Sequence, residues 1–142
     1  MTIVLDTNVV VALYDGDDPD HDAVARLVDT LDEDLVTTPL AVAEMDYLAL
    51  HRGGAPARDA LWADLHTGAY TVRWWADALS ETIDIARRHP FLGLTHASLA
   101  ALAARVRTQR IATFDAHFRS ITTSDGQPFA LLPDDAERTT NA

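Results

Sequence analysis

The sequence predicts an α/β fold with a small parallel sheet of four to five strands flanked by helices. Short β-branched runs, such as Thr2–Leu5 and residues 110–114, alternate with longer segments of helical periodicity. Strands separated by helices favour parallel pairing, because each helix returns the chain to the same end of the sheet. The 142 residues, 48% of them hydrophobic, suffice for one domain with one core. We assign that domain to residues 1–133 and expect a flexible polar tail at 134–142.

Five short apolar runs predict the strands. The first, Thr2–Leu5, is apolar at three consecutive positions, which is typical of a strand buried on both faces. The others are residues 35–37, 70–73, 110–114 and 129–132.

Periodicity and helix-starting residues predict four helices in the first half of the chain. A short helix covers residues 9–13. Asp18 and Pro19 then form a helix start, as the N-cap and the first helical residue, ahead of apolar residues at steps of four. Pro39 opens a helix that a glycine pair ends, and Pro56 opens the next.

Two further helices are predicted in the second half. Residues 76–89 place Leu79, Ile83 and Ala86 in one apolar stripe. Thr95 is expected to cap a last helix that runs to about residue 106.

The residue types that are missing exclude several enzyme classes. All 11 basic residues are arginine, and the chain contains neither lysine nor cysteine. A P-loop NTPase requires a phosphate-binding lysine, and Schiff-base chemistry requires a lysine amine. Thiol catalysis, disulfides and cysteine-based zinc sites require sulfur.

The charge balance argues against a DNA-binding module. The 22 acidic and 11 basic residues leave a formal charge of −11, whereas nucleic-acid binders usually carry a basic surface. An acidic cleft that holds divalent cations is compatible with this charge, because the metal inverts the local field.

The first residues indicate a cytoplasmic protein. Residues 1–6 contain no basic region and no long apolar stretch, so neither a signal peptide nor a membrane span is expected. The lack of cysteine agrees with a reducing compartment.

Two aspartates directly follow the apolar runs of predicted strands. Asp6 follows Thr2–Leu5, and Asp115 follows residues 110–114. In an open parallel sheet the C-terminal strand ends line the functional crevice, especially where the strand order reverses. If both strands are central, both carboxylates therefore face one cleft. The alternative is that each aspartate only caps the next helix.

Glu44 is the third candidate carboxylate. It lies four residues after Leu40 and four before Leu48, so helical spacing places it on their inward stripe. A buried carboxylate then needs a partner or a metal. The alternative is that Glu44 sits at the edge of the stripe and reaches water.

Three carboxylates from separate segments, with no lysine to neutralise them, suggest a site for a hard cation. Magnesium and manganese prefer such oxygen ligands. Thr7, Asn8 and Thr113 flank the aspartates and are expected to orient them through hydrogen bonds, with capping and turn formation as their alternative roles.

Four segments carry recognisable patterns in a fixed order: residues 5–8, residues 43–48 around Glu44, residues 93–103, and residues 112–118 around Asp115. No one of them is specific by itself, but the four in this order and spacing resemble the successive signatures of PIN domains. The resemblance covers nearly the whole chain up to the tail. Within that family, the chain most resembles the VapC-type toxins of bacterial toxin–antitoxin pairs.

The resemblance implies a three-layer α/β/α fold and an endoribonuclease that depends on Mg²⁺ or Mn²⁺, in which a metal-activated water attacks an RNA phosphodiester. It also implies a homodimer and inhibition by a VapB-type antitoxin. Carried over by position, Asp6, Glu44 and Asp115 match three of the four acidic positions of the family. Thr113 matches the polar residue that supports the last one.

The fourth position departs from the family, because this chain has His96 where the family has aspartate. Imidazole is a poor magnesium ligand, although it binds manganese or zinc. A different metal preference, a natural loss of activity and an inactivating substitution are the competing explanations, and we favour impaired catalysis. His117, close to Asp115, is either a substrate contact or a surface residue.

Other functions remain as alternatives. Receiver domains and haloacid-dehalogenase-type phosphatases also use an acidic pocket, but the first require a lysine and the second an aspartate where Asn8 stands. A PIN-like protein that binds RNA or an antitoxin without cutting is the stronger alternative, and His96 is the residue that supports it.

Overall fold

A computed structural model describes residues 1–136, and within them five strands form one all-parallel sheet. The strands are β1 (Thr2–Leu5), β2 (Asp34–Thr37), β3 (Thr71–Val72), β4 (Arg110–Ala112) and β5 (Ala130–Leu132). They lie in the order β3-β2-β1-β4-β5. The predicted parallel sheet is confirmed, although β3 is one residue shorter at each end than expected and β4 ends before residue 114.

Strand β1 is central, and the strand order reverses beside it. Val4 and Leu5 pair with Ile111 and Ala112 of β4, on the side of β1 that faces away from β2. The chain builds β1, β2 and β3 outward on one side and then crosses to build β4 and β5 on the other. In open α/β sheets, ligands bind beyond the carboxyl ends of the strands at such a reversal.

Six α-helices flank the sheet in the described part of the chain. They are α1 (Thr7–Tyr14), α2 (His21–Thr30), α3 (Pro39–Leu48), α4 (Gly54–Thr67), α5 (Ala78–Arg88) and α6 (Gly93–Val106). A π-helical segment (Ala49–Gly53) joins α3 to α4, and 3-10 turns lie at Pro90–Leu92 and Ala116–Ser120. Across these residues, no helix is long and apolar enough to cross a membrane.

The predicted start of α2 was wrong by two residues. Helix α2 begins at His21 rather than at Pro19. The Asp18 carboxylate accepts a hydrogen bond from the Asp20 N–H group at 2.8 Å and so closes a turn that contains Pro19. An aspartate side chain that bonds to the backbone two residues ahead favours a turn over a helix.

Two other helix starts were also wrong. Helix α6 begins at Gly93, so Thr95 lies inside its first turn and does not cap it, because the turn Pro90–Leu92 leads directly into the helix. Helix α4 begins at Gly54 and not at Pro56. The π-helical segment carries the chain through the glycine pair that was expected to separate the two helices.

Helix α5 buries a face that differs from the predicted stripe. Ala78 and Thr82 are buried, whereas Leu79 is 51% exposed and Ile83 and Ala86 are only partly buried. The helix packs against α6, and its buried residues are the small Ala78 and Thr82.

Helix α6 is the innermost helix of the fold. Every residue from Ala97 to Ala103 is buried, and the helix contacts α3, α5 and β1. A helix that is covered on all sides has to be apolar all round, which explains the run of alanine and leucine. Its first turn, which carries His96, is thereby fixed near the carboxyl end of β1.

The first residues of the predicted tail contact the domain. Asp135 accepts hydrogen bonds from the Arg119 guanidinium at 2.9 and 3.2 Å and from the Leu131 N–H group at 2.8 Å. Residues 137–142 of the predicted tail lie outside the described residues. The boundary at residue 133 stays a prediction.

Candidate active site

Asp6 lies at the carboxyl end of β1 and is fully buried. Its Oδ1 atom accepts a hydrogen bond from the Thr7 N–H group at 2.7 Å and so caps α1. Its Oδ2 atom accepts a hydrogen bond from the Thr113 hydroxyl at 2.6 Å. The two roles that the sequence left as alternatives therefore coexist, because one carboxylate oxygen caps the helix while the other faces the end of β4.

Asp115 lies beyond the end of β4 and not directly after it, because that strand stops at Ala112. The Asp115 carboxylate accepts a hydrogen bond from the His117 N–H group at 2.9 Å and caps the 3-10 turn Ala116–Ser120. Its side chain is 21% exposed. Asp115 thus reaches the same edge of the sheet as Asp6, from a short loop.

Thr113 connects the two aspartates through one buried hydroxyl. The hydroxyl donates its proton to Asp6 Oδ2 and accepts a hydrogen bond from the Asp115 N–H group at 2.9 Å. A threonine hydroxyl has one proton and two lone pairs, so both bonds form at once. Thr113 therefore fixes the rotamer of Asp6 and the backbone of Asp115 together.

The Thr113 hydroxyl carries a testable prediction. Thr113→Val keeps the side-chain shape but leaves the buried Asp6 Oδ2 atom without this donor, which costs about 1–3 kcal/mol of unfolding free energy. We expect urea denaturation to show that loss. Thr113→Ser retains the hydroxyl and is the matched control, so it should lose less stability than Thr113→Val. A Thr113→Val variant as stable as the wild type would show that this hydrogen bond does not contribute.

His96 lies between the two carboxylates. Its Nε2 atom is 3.3 Å from Asp6 Oδ2, and its Nδ1 atom is 3.2 Å from Asp115 Oδ2. The His96 side chain is 21% exposed, while that of Asp6 is 1% exposed. One imidazole ring therefore contacts both candidate ligands, at the position where the family resemblance implied a further carboxylate.

The carboxylates favour the protonated form of His96. The hydrogen bond to Asp6 raises the pKa of His96 above its ordinary value, and partial burial of the ring opposes this effect. The negative charges of Asp6, Asp115 and Glu44 raise it further. A charge-assisted hydrogen bond to Asp6 and the negative charge of Asp115 thus stabilise the imidazolium cation.

Glu44 does not lie on the inward stripe of α3. Its side chain is exposed, so the alternative that placed it at the edge of the stripe is correct. Ala41 and Met45, its neighbours along the helix, occupy the buried face instead. Glu44 lies near enough to the centre for its charge to act on His96, but it does not share the buried surroundings of Asp6.

The side chains of Thr7 and Asn8 bind the backbone rather than the carboxylates. The Thr7 hydroxyl donates to the Ala41 carbonyl oxygen at 3.5 Å, which ties α1 to α3. The Asn8 side-chain oxygen accepts from the Phe114 N–H group at 3.3 Å, which holds the loop before Asp115. Of the three supporting residues named from the sequence, only Thr113 contacts Asp6 through its side chain.

Three residues that the sequence analysis did not select hold His96 in place. The Ser98 hydroxyl lies 2.8 Å from the Thr38 hydroxyl, which caps α3, and so joins the first turns of α3 and α6. The Phe118 ring packs edge-on against the His96 ring, with centroids 5.3 Å apart. Thr38, directly before Pro39, has the sequence signature of an N-cap, so its role as the cap of α3 could have been predicted from the sequence.

Exposed rings lie beside the acidic centre. Phe91 is 46% exposed, and its ring centroid is 5.5 Å from that of His117. His117 Nδ1 lies 3.1 Å from Asp115 Oδ1. His117 is thus an exposed surface residue whose ring contacts a candidate carboxylate, and a contact with substrate stays a prediction.

The donor atoms suit a divalent cation in type but not in their present arrangement. Carboxylate oxygens are the ligands that Mg²⁺ and Mn²⁺ prefer. Among residues 1–136, however, histidine, aspartate and glutamate side chains form no group of three that could hold a metal ion. The His96 ring contacts the Oδ2 atoms of both aspartates, and Glu44 is exposed. A cation shared by Asp6 and Asp115 therefore requires the ring to move.

Comparison with a solved structure agrees with this architecture. The chain is similar to a crystal structure of Mycobacterium tuberculosis VapC20, described as a Sarcin-Ricin loop cleaving toxin, with a TM-score of 0.77. The match covers 84% of this chain and 94% of that one at 22% sequence identity. At this identity the similarity establishes the fold.

Sequence comparison establishes the family. A family model for the PIN domain matches residues 3–123. The chain is also 32% identical over 135 residues to ribonuclease VapC26 of Mycobacterium tuberculosis, a match that covers 92% of this chain and 100% of that relative. The chain therefore belongs to the PIN domain family, and its likeness to ribonuclease VapC26 places it among the VapC-type members.

Proposed function

We propose that this chain is an endoribonuclease, the toxin of a VapBC-type toxin–antitoxin pair, and that it hydrolyses RNA phosphodiesters at the centre formed by Asp6, His96 and Asp115. The observation that carries the proposal is the convergence of Asp6 and Asp115 beyond β1 and β4, where the strand order reverses, in a chain of this family. The likeness to ribonuclease VapC26 supports the assignment of RNA as the substrate.

The proposed cofactor is Mg²⁺ or Mn²⁺. Asp6 and Asp115 would hold it once His96 has turned away, with Glu44 reaching in from α3. When bound, such an ion supplies Lewis-acid stabilisation of phosphate charge and an activated water. Three carboxylates repel a phosphate, and a divalent cation offsets more of that charge than one imidazolium does.

The residues of the chain prepare this centre before any ligand arrives. Thr113 and the Thr7 N–H group orient the two oxygens of Asp6, and the His117 N–H group orients Asp115. Because these donors are already in place, the carboxylates lose little conformational freedom on binding. Burial of Asp6 also excludes water from that side of the centre.

The exposed Phe91 and His117 rings offer a surface for an RNA base beside the carboxylates. Stacking of a base on an aromatic ring contributes about 1–3 kcal/mol. We therefore expect Phe91→Ala to raise the KM for RNA roughly 5- to 150-fold with a smaller change in kcat. Steady-state cleavage of a labelled RNA measures both constants.

Trp62→Ala is the control for Phe91→Ala, because Trp62 is 47% exposed but lies on α4. We expect its KM to stay at the wild-type value. An unchanged KM in Phe91→Ala, or an equal rise in both variants, would exclude a specific stacking role for Phe91.

The proposed partners are a VapB-type antitoxin and a second copy of this chain, and the proposed location is the cytoplasm. The likeness to ribonuclease VapC26 supports this assignment. Size-exclusion chromatography with light scattering tests the homodimer, and a monomer at micromolar concentration would contradict it.

An RNA cleavage assay with a metal titration tests the proposed activity. A nuclease produces new RNA ends, and their rate of formation rises with Mg²⁺ or Mn²⁺. A protein that only binds RNA retains the probe on a filter but yields no new ends at any metal concentration. That second outcome would replace the proposed function with the binding alternative.

A further inference from the structure

We propose that the His96 imidazole occupies the position of the cation between Asp6 and Asp115, so that a divalent metal binds this centre only by displacing the ring. His96 is then a competitor of the metal and not one of its ligands. This inference rests on the proposed function for the identity of the ligand class, a divalent cation. It concerns metal affinity, which is measured in the absence of RNA.

The contacts of the ring support competition. Both ring nitrogens are engaged, one with Asp6 Oδ2 at 3.3 Å and the other with Asp115 Oδ2 at 3.2 Å. These are the two oxygen atoms that a shared cation would use. A ligand oxygen lies about 2.1 Å from Mg²⁺. The ring nitrogens lie 3.2 and 3.3 Å from the same oxygens, so an ion bound there would overlap the ring. The ring and a shared cation therefore cannot occupy the gap together.

The remaining oxygens of the aspartates already have protein donors. Asp6 Oδ1 binds the Thr7 N–H group, and Asp115 Oδ1 binds the N–H group and the Nδ1 atom of His117. A cation that avoided His96 would have to take these oxygens from donors that cap α1 and the following turn. Asp6 Oδ2 also accepts the Thr113 hydroxyl, which leaves a second lone pair for a cation. The Oδ2 atoms next to His96 are thus the ligands that face the gap between the aspartates, and displacement of the ring is the available route.

The ring is held in the gap but stays partly exposed to solvent. Phe118, which is fully buried, packs against one edge of it, and the Ser98–Thr38 contact fixes the helix turn that carries it. The side chain of His96 is 21% exposed. We expect the ring to leave the gap toward solvent when a cation binds.

Alanine at position 96 distinguishes a competitor from a ligand. His96→Ala removes the ring and adds no new donor, so a competing ring predicts tighter metal binding in the variant. A ligating ring predicts weaker binding. His96→Asp adds a carboxylate and is the positive control that the centre holds metal at all.

The experiment is a Mn²⁺ titration of the full chain without RNA, followed by the electron paramagnetic resonance signal of free Mn²⁺. We expect His96→Ala to bind Mn²⁺ roughly tenfold or more tightly than the wild type, because the contacts of the ring with two carboxylates no longer oppose the ion. His96→Asp should bind more tightly still. His51→Ala, which changes an exposed histidine on the π-helical segment, should match the wild type.

Equal or weaker Mn²⁺ binding by His96→Ala would overturn the proposal, and so would a His96→Asp variant that binds no Mn²⁺. His96→Asn serves as a second ring-free variant if circular dichroism shows that the alanine variant is unfolded. Adding Asp6→Asn to His96→Ala should remove the gain in affinity. Because no RNA is present, failure of the proposed ribonuclease activity leaves these outcomes unaffected, and the reverse also holds.

Discussion

Asp6→Asn will reduce the rate of RNA cleavage by about 100-fold or more, which is the usual loss when an electrostatic group at a reaction centre is removed. Asp6 is the most buried of the candidate carboxylates and contacts both Thr113 and His96. Asparagine has nearly the same shape and retains an oxygen for the Thr7 N–H group. The loss of rate therefore measures the contribution of the negative charge of Asp6. Single-turnover cleavage of a labelled RNA at saturating Mn²⁺ measures it.

Asp84→Asn is the matched control, since it removes one acidic charge from an exposed position on α5. It should cleave RNA at the wild-type rate. Asp6→Asn activity within a few-fold of the wild type, in a folded protein, would show that cleavage does not occur at this centre.

Phe118→Ala will lower the free energy of unfolding by about 3–5 kcal/mol, the cost of a large aromatic deletion in a core. Phe118 is fully buried and contacts the rings of His96 and Phe129. The cavity would open on the side of His96 that faces the protein interior. Chemical denaturation with urea measures the loss, and the slope of the transition checks that unfolding stays cooperative.

Phe91→Ala is the control for the loss of an aromatic ring, because Phe91 is 46% exposed. Its effect on stability should stay within about 0.5 kcal/mol. The two phenylalanines thus separate the roles of packing and substrate contact. A Phe118→Ala variant as stable as Phe91→Ala would contradict the packing of Phe118 against His96 and Phe129.

The sheet was predictable because its strands are short apolar runs separated by helices. The uniformly apolar Ile3, Val4 and Leu5 predicted a buried strand, and the structure places that strand at the centre of the sheet. Helix boundaries were harder to predict where a side chain or a neighbouring turn changes the first residue of the helix. Asp18 bonds to a nearby N–H group and delays α2, and the turn before Gly93 starts α6 early.

The location of the two aspartates was predictable, because a residue that follows a parallel strand lies at the carboxyl edge of the sheet. Neighbouring parallel strands end at the same edge, so Asp6 and Asp115 had to lie close if β1 and β4 were adjacent. The orientation of Glu44 could not be predicted in the same way. Its helical spacing fits either the inward stripe or its edge, and only the packing of α3 through Ala41 and Met45 decides between them.

The contacts of His96 lay beyond sequence reasoning. Sequence comparison with the family pattern identified the position as unusual, but it did not indicate that both ring nitrogens would face carboxylates. That arrangement depends on the side-chain rotamer and on the packing of Phe118 and Ser98, which no local pattern encodes.

A double-mutant cycle of Asp6→Asn and Asp115→Asn, read out as single-turnover RNA cleavage, is the decisive measurement. Residues that act as one unit are strongly non-additive. If both carboxylates serve a single centre, the double variant should be no slower than the slower single variant. If the two losses of rate multiply, the residues act independently, and the account of a shared RNA-cleaving centre is wrong.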